Sequence, residues 1–328
     1  MSHAVSAATH HPGGTSLVEL PHRGPFDAGA WFRHVADRAI PGLERAEVLA
    51  APGPHAYAVT RIVHGVPGED AVVATVLLSA DGTRVEVRLE GGPLAAHERA
   101  CGRLRRWLDL DIDPAHVAAA LGDDPLIGPL LATRPGLRVP GTCDPFELAV
   151  RAVLGQQVST AAARTVAGRL VAAYGSPGPR GLLAFPSPAR LAGLPVAAMR
   201  ELGLNTGRAS TVGVLARAVL GGLPLEPGPD VDPARVRAQL LALPGIGPWT
   251  VDYVELRAWG GADVFPAGDL VLRRALAELP GGTGAPVDVR ATAAHALRWS
   301  PWRGYAAQHL WSAWSARAPR VRAVSAGG

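Results

Sequence analysis

The chain is 328 residues long and 48% of its residues are hydrophobic, which predicts two or three domains with well-filled cores. Its two cysteines, Cys101 and Cys143, are too few for a multi-bridge disulfide framework, a four-cysteine iron–sulfur cluster or a cysteine zinc finger. All 32 basic residues are arginines, which excludes any mechanism that needs a lysine side chain of this chain.

The charge and the hydropathy pattern favour a soluble protein with an acidic partner. The sequence pI is about 9.6 and the formal net charge is +4, a modest excess that favours nucleic acid slightly. No apolar run reaches the roughly 18 residues of a membrane span, and residues 1–16 lack the pattern of a signal peptide. We therefore expect a cytoplasmic protein that does not contact a membrane.

The N-terminal third of the chain carries the strand patterns. Residues 1–22 show no periodicity and are expected to form a disordered tail. Between residues 23 and 112, a short helix begun by Asp27 precedes segments in which hydrophobic and polar residues alternate. Strands are predicted at 56–63, 71–79 and 83–90, with a tight turn at Asp81-Gly82 and a helix at 94–108. This pattern predicts an antiparallel sheet with helices on one face.

From residue 113 to 316 the chain is predicted to form successive short helices, followed by a second tail at 317–328. Asp144-Pro145 followed by Glu147 has the pattern of a capping box at a helix start. Further helix starts are predicted at Ser159 and Asp232-Pro233, and helix ends at Gly175, Gly203 and Gly221-Gly222. The predicted fold class is therefore α+β, mostly α-helical.

The segment LPGIGPWT, Leu243 to Thr250, predicts a tight hairpin between two helices. One helix is expected to end near Ala242 and the next to run from about Pro248 to Trp259. Gly245 and Gly247 suit a turn that needs unusual backbone angles or a close approach, and would leave the amides free to face a phosphate. An ordinary helix-turn-helix corner has the same pattern, so the hairpin alone does not establish DNA binding.

Asp269 stands immediately ahead of an apolar helix, 22 residues after Gly247. An aspartate there is typically an N-cap, and a helix N-terminus also favours its ionised form. A carboxylate of this kind can stabilise the positive charge that develops on a sugar when an N-glycosidic bond breaks. Both roles are compatible, and the position alone does not choose between them.

The aromatic residues concentrate in the C-terminal half. Trp249 and Tyr253 are four residues apart on one predicted helix, and the C-terminal segment adds Trp299, Trp302, Tyr305, Trp311 and Trp314. Such residues usually form helical core. Flat π-surfaces also suit a pocket for an extruded base, above all a cationic alkylated base.

Together these motifs resemble the helix-hairpin-helix glycosylase superfamily, and within it the 3-methyladenine DNA glycosylase II (AlkA) type. The resemblance runs from about Phe26 to Trp314 and includes the segments DPFELAVRAVLGQQVSTAAA and LPGIGPWTVDYVELRAWGGADVFPAGD. It implies that Asp269 is the catalytic carboxylate. It also implies that the base pocket is lined by Trp249, Tyr253 and Trp311.

The resemblance implies further roles around the hairpin. DNA contacts are expected at Gln157, Gly245, Gly247 and Thr250, with Gln157 as the wedge that fills the gap left by the extruded base. The AlkA type is best known with leucine at the wedge position, and Leu270 replaces an expected aromatic residue. The family's hairpin holds a monovalent cation through backbone carbonyls, and the matching residues are Leu241, Leu243 and Ile246. No other cofactor is expected.

The resemblance implies a monofunctional glycosylase that removes 3-methyladenine and 7-methylguanine from double-stranded DNA, acting as a monomer on the nucleoid. Two other functions share parts of the pattern. A non-catalytic module could keep the hairpin as a phosphate anchor, and a bifunctional glycosylase and lyase would carry a lysine just after the hairpin. That position is Trp249. A small-molecule hydrolase lacks any supporting nucleophile motif.

Overall fold

The computed structural model describes residues 6–11, 14–50, 53–63 and 71–317, with side chains from residue 14 onward. The N-terminal part is a six-stranded antiparallel sheet with the strand order β1-β2-β6-β5-β4-β3. The strands are β1 Ser6–His11, β2 Thr15–Glu19, β3 Glu44–Val48, β4 Tyr57–Val63, β5 Val72–Leu78 and β6 Val85–Glu90. A short ribbon further along the chain pairs β7 Ser176–Pro177 with β8 Leu183–Ala184.

The remaining described chain is helical. The helices are α1 Ala28–Ala36, α2 Leu94–Leu108, α3 Pro114–Leu121, α4 Ile127–Thr133, α5 Pro145–Leu154, α6 Thr160–Tyr174, α7 Pro188–Ala192, α8 Val196–Glu201, α9 Thr206–Leu220, α10 Pro233–Leu241, α11 Pro248–Ala258, α12 Leu270–Glu278, α13 Val289–Ala296 and α14 Arg303–Arg317. Helix α5 packs against α9 and α11, whereas α12 packs against α14. The α+β fold class predicted from the sequence is confirmed.

The N-terminal core lies between the sheet and the helices α1 and α2. Alternating residues of β6 are buried, as its period-two pattern predicts. Trp31 of α1 meets Trp107 of α2 edge to face, with ring centroids 4.9 Å apart, and its indole N–H donates to the Trp107 carbonyl at 3.1 Å. These contacts fix α1 against the rest of the subdomain, and α1 carries residues that reach the functional cavity.

Three strands of the sheet, β1, β2 and β3, were not predicted, and neither was the short ribbon of β7 and β8. The predicted tail over 1–22 is wrong at β1, which pairs with β2, and at β2, which pairs with β6 and buries Val18 in the core. The apolar stretch in residues 15–20 is short, and its pairing partner lies about 70 residues away, so only tertiary contacts define it. The edge strand β3 has the charged sequence ERAEV, which suits an edge position and hides its strand character. The other parts of the two predicted tails, at residues 1–5, 12, 13 and 318–328, lie outside the described residues.

The predicted helix caps are largely confirmed. The side chains of Asp144, Ser159 and Asp232 accept hydrogen bonds from backbone amides at the starts of α5, α6 and α10. Helices α6 and α9 end at the predicted glycines, Gly175 and Gly221. These caps hold short helices in place where helix propensity alone would be insufficient.

Glu147 does not complete the predicted capping box. Its carboxylate instead accepts from the guanidinium of Arg61 at 2.6 Å and from that of Arg151 at 2.8 Å. Glu44 of β3 also pairs with Arg61, at 2.7 Å, and lies 3.4 Å from Arg151. These four residues, which we term the buried ion cluster, connect the sheet to α5 and so fix the position of the sheet subdomain on the helical domain.

Among the described residues, no helix is both long enough and apolar enough to cross a membrane. The same residues contain no group of three or more histidine, cysteine, aspartate or glutamate side chains placed to bind a metal ion.

Candidate active site

A cavity of about 650 Å³ opens where α1 of the sheet subdomain faces the helical domain. This volume falls in the range of small-molecule sites and exceeds the space that one nucleobase needs. Its lining includes the four residues expected at the catalytic centre, namely Trp249, Tyr253, Asp269 and Trp311. The structure therefore brings together side chains from α11, α12 and α14 that are up to 62 residues apart in sequence.

Asp269 is the N-cap of α12. Its Oδ1 accepts hydrogen bonds from the amides of Val271 at 2.9 Å and Leu272 at 3.0 Å, and from Trp311 Nε1 at 3.2 Å. Its Oδ2 accepts from Trp249 Nε1 at 2.9 Å. Because Oδ2 has this one protein donor among the described residues, it retains acceptor capacity for a water molecule.

No arginine or histidine of the described chain forms an ion pair with Asp269, and all four of its donors are neutral. The helix N-terminus and the two indoles thus orient the carboxylate without cancelling its charge. A fixed carboxylate of this kind can stabilise positive charge that develops beside it.

The aromatic wall of the cavity consists of Trp249, Tyr253 and Trp311. Trp249 stacks on Tyr253 with centroids 5.4 Å apart and planes inclined by 21°, and Tyr253 meets Trp311 edge to face at 6.4 Å. The two tryptophans that bind Asp269 are therefore also the outer members of this wall. A base that rests on the wall would be held next to the carboxylate.

The other C-terminal aromatic residues serve the core. Trp299 is fully buried and donates to Asp124 Oδ2 at 2.9 Å, and the Tyr305 hydroxyl donates to Asp109 Oδ2 at 2.6 Å. Trp302 and Trp314 pack at the edge of the same core, outside the cavity lining.

Arg257 supports the aromatic wall and was not anticipated from the sequence. Its guanidinium carbon lies 5.0 Å from the Tyr253 ring centroid and 5.2 Å from that of Trp311. It donates to the Pro140 carbonyl at 2.7 Å and to Gln308 Oε1 at 3.1 Å. Burial would raise the pKa of the Tyr253 phenol, but the nearby guanidiniums, Arg257 foremost, hold that pKa below its ordinary value. One face of the wall is thus already in contact with a cation.

The hairpin uses its two glycines in different ways. Gly245 has φ +84°, and a Cβ there would collide with the Thr211 hydroxyl, so glycine is required. Gly247 is the N-cap of α11 with φ −101°, and a Cβ there would meet no neighbouring atom within 4 Å. The predicted unusual backbone angles are therefore found at Gly245 and not at Gly247, and the close approach of a phosphate to Gly247 stays a prediction.

Thr250 does not lie where a DNA-contacting side chain would. It is buried, and its Oγ1 accepts from Gln156 Nε2 at 3.0 Å. Gln156 also donates to the Gly245 carbonyl at 3.0 Å. Gln156, missed in the sequence, therefore anchors the loop after α5 to the hairpin, and Thr250 is its partner.

Gln157 is exposed in the loop between α5 and α6 and has φ +58°, a left-handed conformation that a side chain other than glycine seldom adopts. Strained backbone of this kind persists where the surrounding structure enforces it, often at functional positions. The wedge role stays a prediction. Leu270 is 54% exposed and does not line the cavity, whereas its neighbour Val271 does.

Two family models match the chain in succession. The AlkA N-terminal domain matches residues 17–144, and the HhH-GPD superfamily base excision DNA repair protein matches residues 150–300. In agreement with these matches, the 3-methyladenine DNA glycosylase from Archaeoglobus fulgidus shares the fold, with a TM-score of 0.74, 21% sequence identity and coverage of 91% of this chain and 98% of that chain.

Two curated relatives are more similar in sequence. The probable bifunctional transcriptional activator/DNA repair enzyme AlkA of Mycobacterium tuberculosis is 41% identical over 310 residues, covering 91% of this chain and 57% of that protein. DNA-3-methyladenine glycosylase 2 of Escherichia coli is 38% identical over 250 residues, covering 74% of this chain and 82% of that protein. The chain thus spans little more than half of the mycobacterial relative. By these matches, it belongs to the HhH-GPD superfamily of base excision DNA repair proteins.

Proposed function

We propose that the chain is a monofunctional DNA glycosylase that hydrolyses the N-glycosidic bond of alkylated bases, of the 3-methyladenine and 7-methylguanine class, in double-stranded DNA. It acts as a monomer. The observation that carries this proposal is Asp269, a carboxylate oriented by two backbone amides and two indoles, without a cationic partner, beside an aromatic wall.

The geometry supports a stepwise hydrolysis. The extruded base enters the cavity and rests on the wall of Trp249, Tyr253 and Trp311. The C1′–N bond breaks and its electron pair leaves with the base, so that a cationic methylated base departs as a neutral molecule. The carboxylate of Asp269 stabilises the positive sugar. Water at Oδ2 then adds to C1′ and loses one proton to solvent, which leaves an abasic site.

The hairpin carbonyls of Leu241, Leu243 and Ile246 are proposed to hold a monovalent cation. Neutral carbonyl oxygens suit a hard ion such as sodium or potassium. The Leu243 carbonyl accepts from the Ile246 amide at 3.1 Å, and its second lone pair is compatible with a cation. A bound cation would stiffen the turn and add positive charge where a phosphate docks.

The proposed activity is tested by incubating the purified chain with methylated duplex DNA and identifying the released bases by chromatography. We expect free 3-methyladenine and 7-methylguanine. If the folded chain binds the DNA but releases no base, the activity is wrong and the non-catalytic DNA-binding role remains.

The enzyme is expected to leave the DNA backbone intact. Strand scission by a lyase proceeds through a Schiff base between an amine and the sugar C1′. The chain has no lysine side chain, and arginine stays protonated at working pH. Borohydride added during turnover should therefore trap no protein–DNA adduct, in contrast to a known lyase run in parallel. An adduct of comparable yield that disappears with Asp269→Asn would contradict the monofunctional mechanism.

The two hairpin glycines provide a matched pair for DNA binding. Gly245→Val introduces both a strained φ and a collision with Thr211, so the free energy of unfolding should fall by about 2–4 kcal/mol. Gly247→Val meets no neighbour and should cost less than about 1 kcal/mol, yet its side chain would stand in the path of an approaching phosphate. Urea unfolding and duplex-DNA titrations over a range of salt concentrations measure both effects.

For Gly247→Val we expect affinity to fall about tenfold for every duplex sequence, because a phosphate contact is independent of sequence. Unchanged affinity in this variant would show that the hairpin is not the phosphate anchor.

A further inference from the structure

His34 is a cavity residue that the mechanism above leaves without a role. It lies in the last turn of α1, so the sheet subdomain contributes it to the same cavity as Asp269 and the aromatic wall. The side chain is half-buried, and no hydrogen bond to its ring is found within the described residues. The His34 backbone carbonyl is occupied, since it accepts from the Arg38 guanidinium at 3.2 Å. The imidazole therefore keeps its hydrogen-bonding capacity for a ligand.

His34 and Tyr253 share their charged surroundings. Burial, followed by the guanidiniums of Arg38, Arg257 and Arg151, holds the pKa of His34 well below its ordinary value. The same three arginines act on the Tyr253 phenol. His34 and Tyr253 thus line the same cavity and lie in the field of the same three guanidiniums.

A neutral imidazole is a useful group at that place. It has one N–H donor and one acceptor, and it adds no positive charge beside a bound base. Arg257 donates to the Pro140 carbonyl and to Gln308, and Arg151 donates to Glu147, so both guanidiniums are fixed in position and keep their charge beside the cavity. Their field favours negative charge that develops on a departing base.

We infer that His34 contacts the base and donates a hydrogen bond to it as the C1′–N bond breaks, which aids the excision of neutral bases most. This inference rests on the proposed glycosylase function and adds a substrate-contacting residue to it. A neutral base receives the electron pair of the broken bond and leaves as an anion, with charge on its ring nitrogen or carbonyl oxygen. The N–H of His34 stabilises that charge and keeps its proton, and the base takes up a proton from water after release.

A cationic base needs this contact less. It receives the same electron pair and becomes neutral, so little charge remains for a donor to stabilise. The contact with His34 therefore makes the excision rate less dependent on the positive charge that methylation gives a base. The prediction is specific: loss of the imidazole changes the preference between a neutral and a cationic lesion.

The test compares His34→Phe and His34→Gln with the wild type in single-turnover excision. One duplex carries 7-methylguanine, a cationic lesion, and the other carries hypoxanthine, a neutral base with a carbonyl group. For His34→Phe we expect the hypoxanthine rate to fall about 10- to 100-fold and the 7-methylguanine rate to fall less than about threefold. His34→Gln retains a neutral donor and should stay within about fivefold of the wild type on both duplexes.

The outcomes separate this inference from the proposed function. If the wild type releases no 7-methylguanine, the glycosylase function itself fails. If the wild type is active on 7-methylguanine but not on hypoxanthine, or if His34→Phe slows both lesions equally, His34 has only a structural role and the inference is overturned. Urea unfolding of the three proteins identifies any loss of rate that comes from a loss of folded protein.

Discussion

Asp269→Asn is expected to slow the excision of 7-methylguanine about 100-fold or more while the chain stays folded. Asparagine is also a good N-cap, and its side-chain oxygen can still accept from the amides of Val271 and Leu272. The substitution removes the negative charge and, because the amide NH2 takes the place of Oδ2, also the hydrogen bond from Trp249 Nε1. If that charge stabilises the cationic sugar, the lost interaction belongs to the transition state and the rate falls without a matching loss of DNA affinity. Single-turnover release of 7-methylguanine measures it.

A cationic lesion is the demanding substrate for this test, because such a base leaves without protonation and the carboxylate is the main group left to accelerate the reaction. The matched control is Asp288→Asn, at the N-cap of α13, where the side chain accepts from the Ala291 amide and does not line the cavity. This control should leave excision unchanged. Near wild-type excision by Asp269→Asn would remove Asp269 from the catalytic role.

The elements with strong local signals could be predicted from the sequence. The strands β4, β5 and β6 and the helix caps at Asp144, Ser159 and Asp232 form where local preference and tertiary packing agree, although only β6 shows the predicted alternation and β5 is buried along its whole length. The hairpin and Asp269 were identified because their spacing resembles a known family. In each case the sequence pattern that supports the prediction lies within a short stretch of the chain.

Other features depend on contacts between distant residues. The pattern around Glu147 fits a capping box, yet its carboxylate binds Arg61, 86 residues away. Trp249 and Trp311 were expected only as stacking surfaces, and their indole N–H groups prove to orient Asp269. A helical pattern can place a side chain on a face, but it does not show which polar atom in another element that side chain will meet.

The position of Arg257 changes the interpretation of the aromatic residues. Electron-rich rings alone predict a pocket that selects cationic bases. Because the Arg257 guanidinium already contacts Tyr253 and Trp311, a cationic base would add a second positive charge to the same wall. Under the proposed function, charge alone would therefore select cationic bases less strongly than the sequence suggests, and hydrogen-bonding groups such as the inferred donor His34 would take a larger part in recognition.

Glu147→Ala is expected to lower the free energy of unfolding by about 3–5 kcal/mol, the usual cost of removing one partner from a buried ion pair. The substitution removes one of the two carboxylates that pair with Arg61, whose side chain is only 5% exposed. Arg151 also loses its contact with Glu147 at 2.8 Å. Glu147→Gln keeps the volume and one acceptor oxygen and should cost less. Glu90→Gln, in the exposed pair with Arg180, is the control and should cost under about 1 kcal/mol. Urea unfolding at pH 7 gives these free energies.

The pH dependence of the same variants distinguishes a lost charge from lost packing. Burial alone would raise the pKa of Glu147, but the guanidiniums of Arg61 and Arg151 reverse this and hold the pKa below its ordinary 4.5. A carboxyl group with a lowered pKa in the folded state stabilises the protein above its ordinary pKa, and this contribution disappears as the pH falls through the folded value. The stability gap between the wild type and Glu147→Gln should therefore be constant from pH 7 to about pH 5 and should narrow below about pH 4.5. A gap that stays constant at lower pH would mean that Glu147 acts through its shape and that its charge contributes nothing to the junction between the sheet and α5.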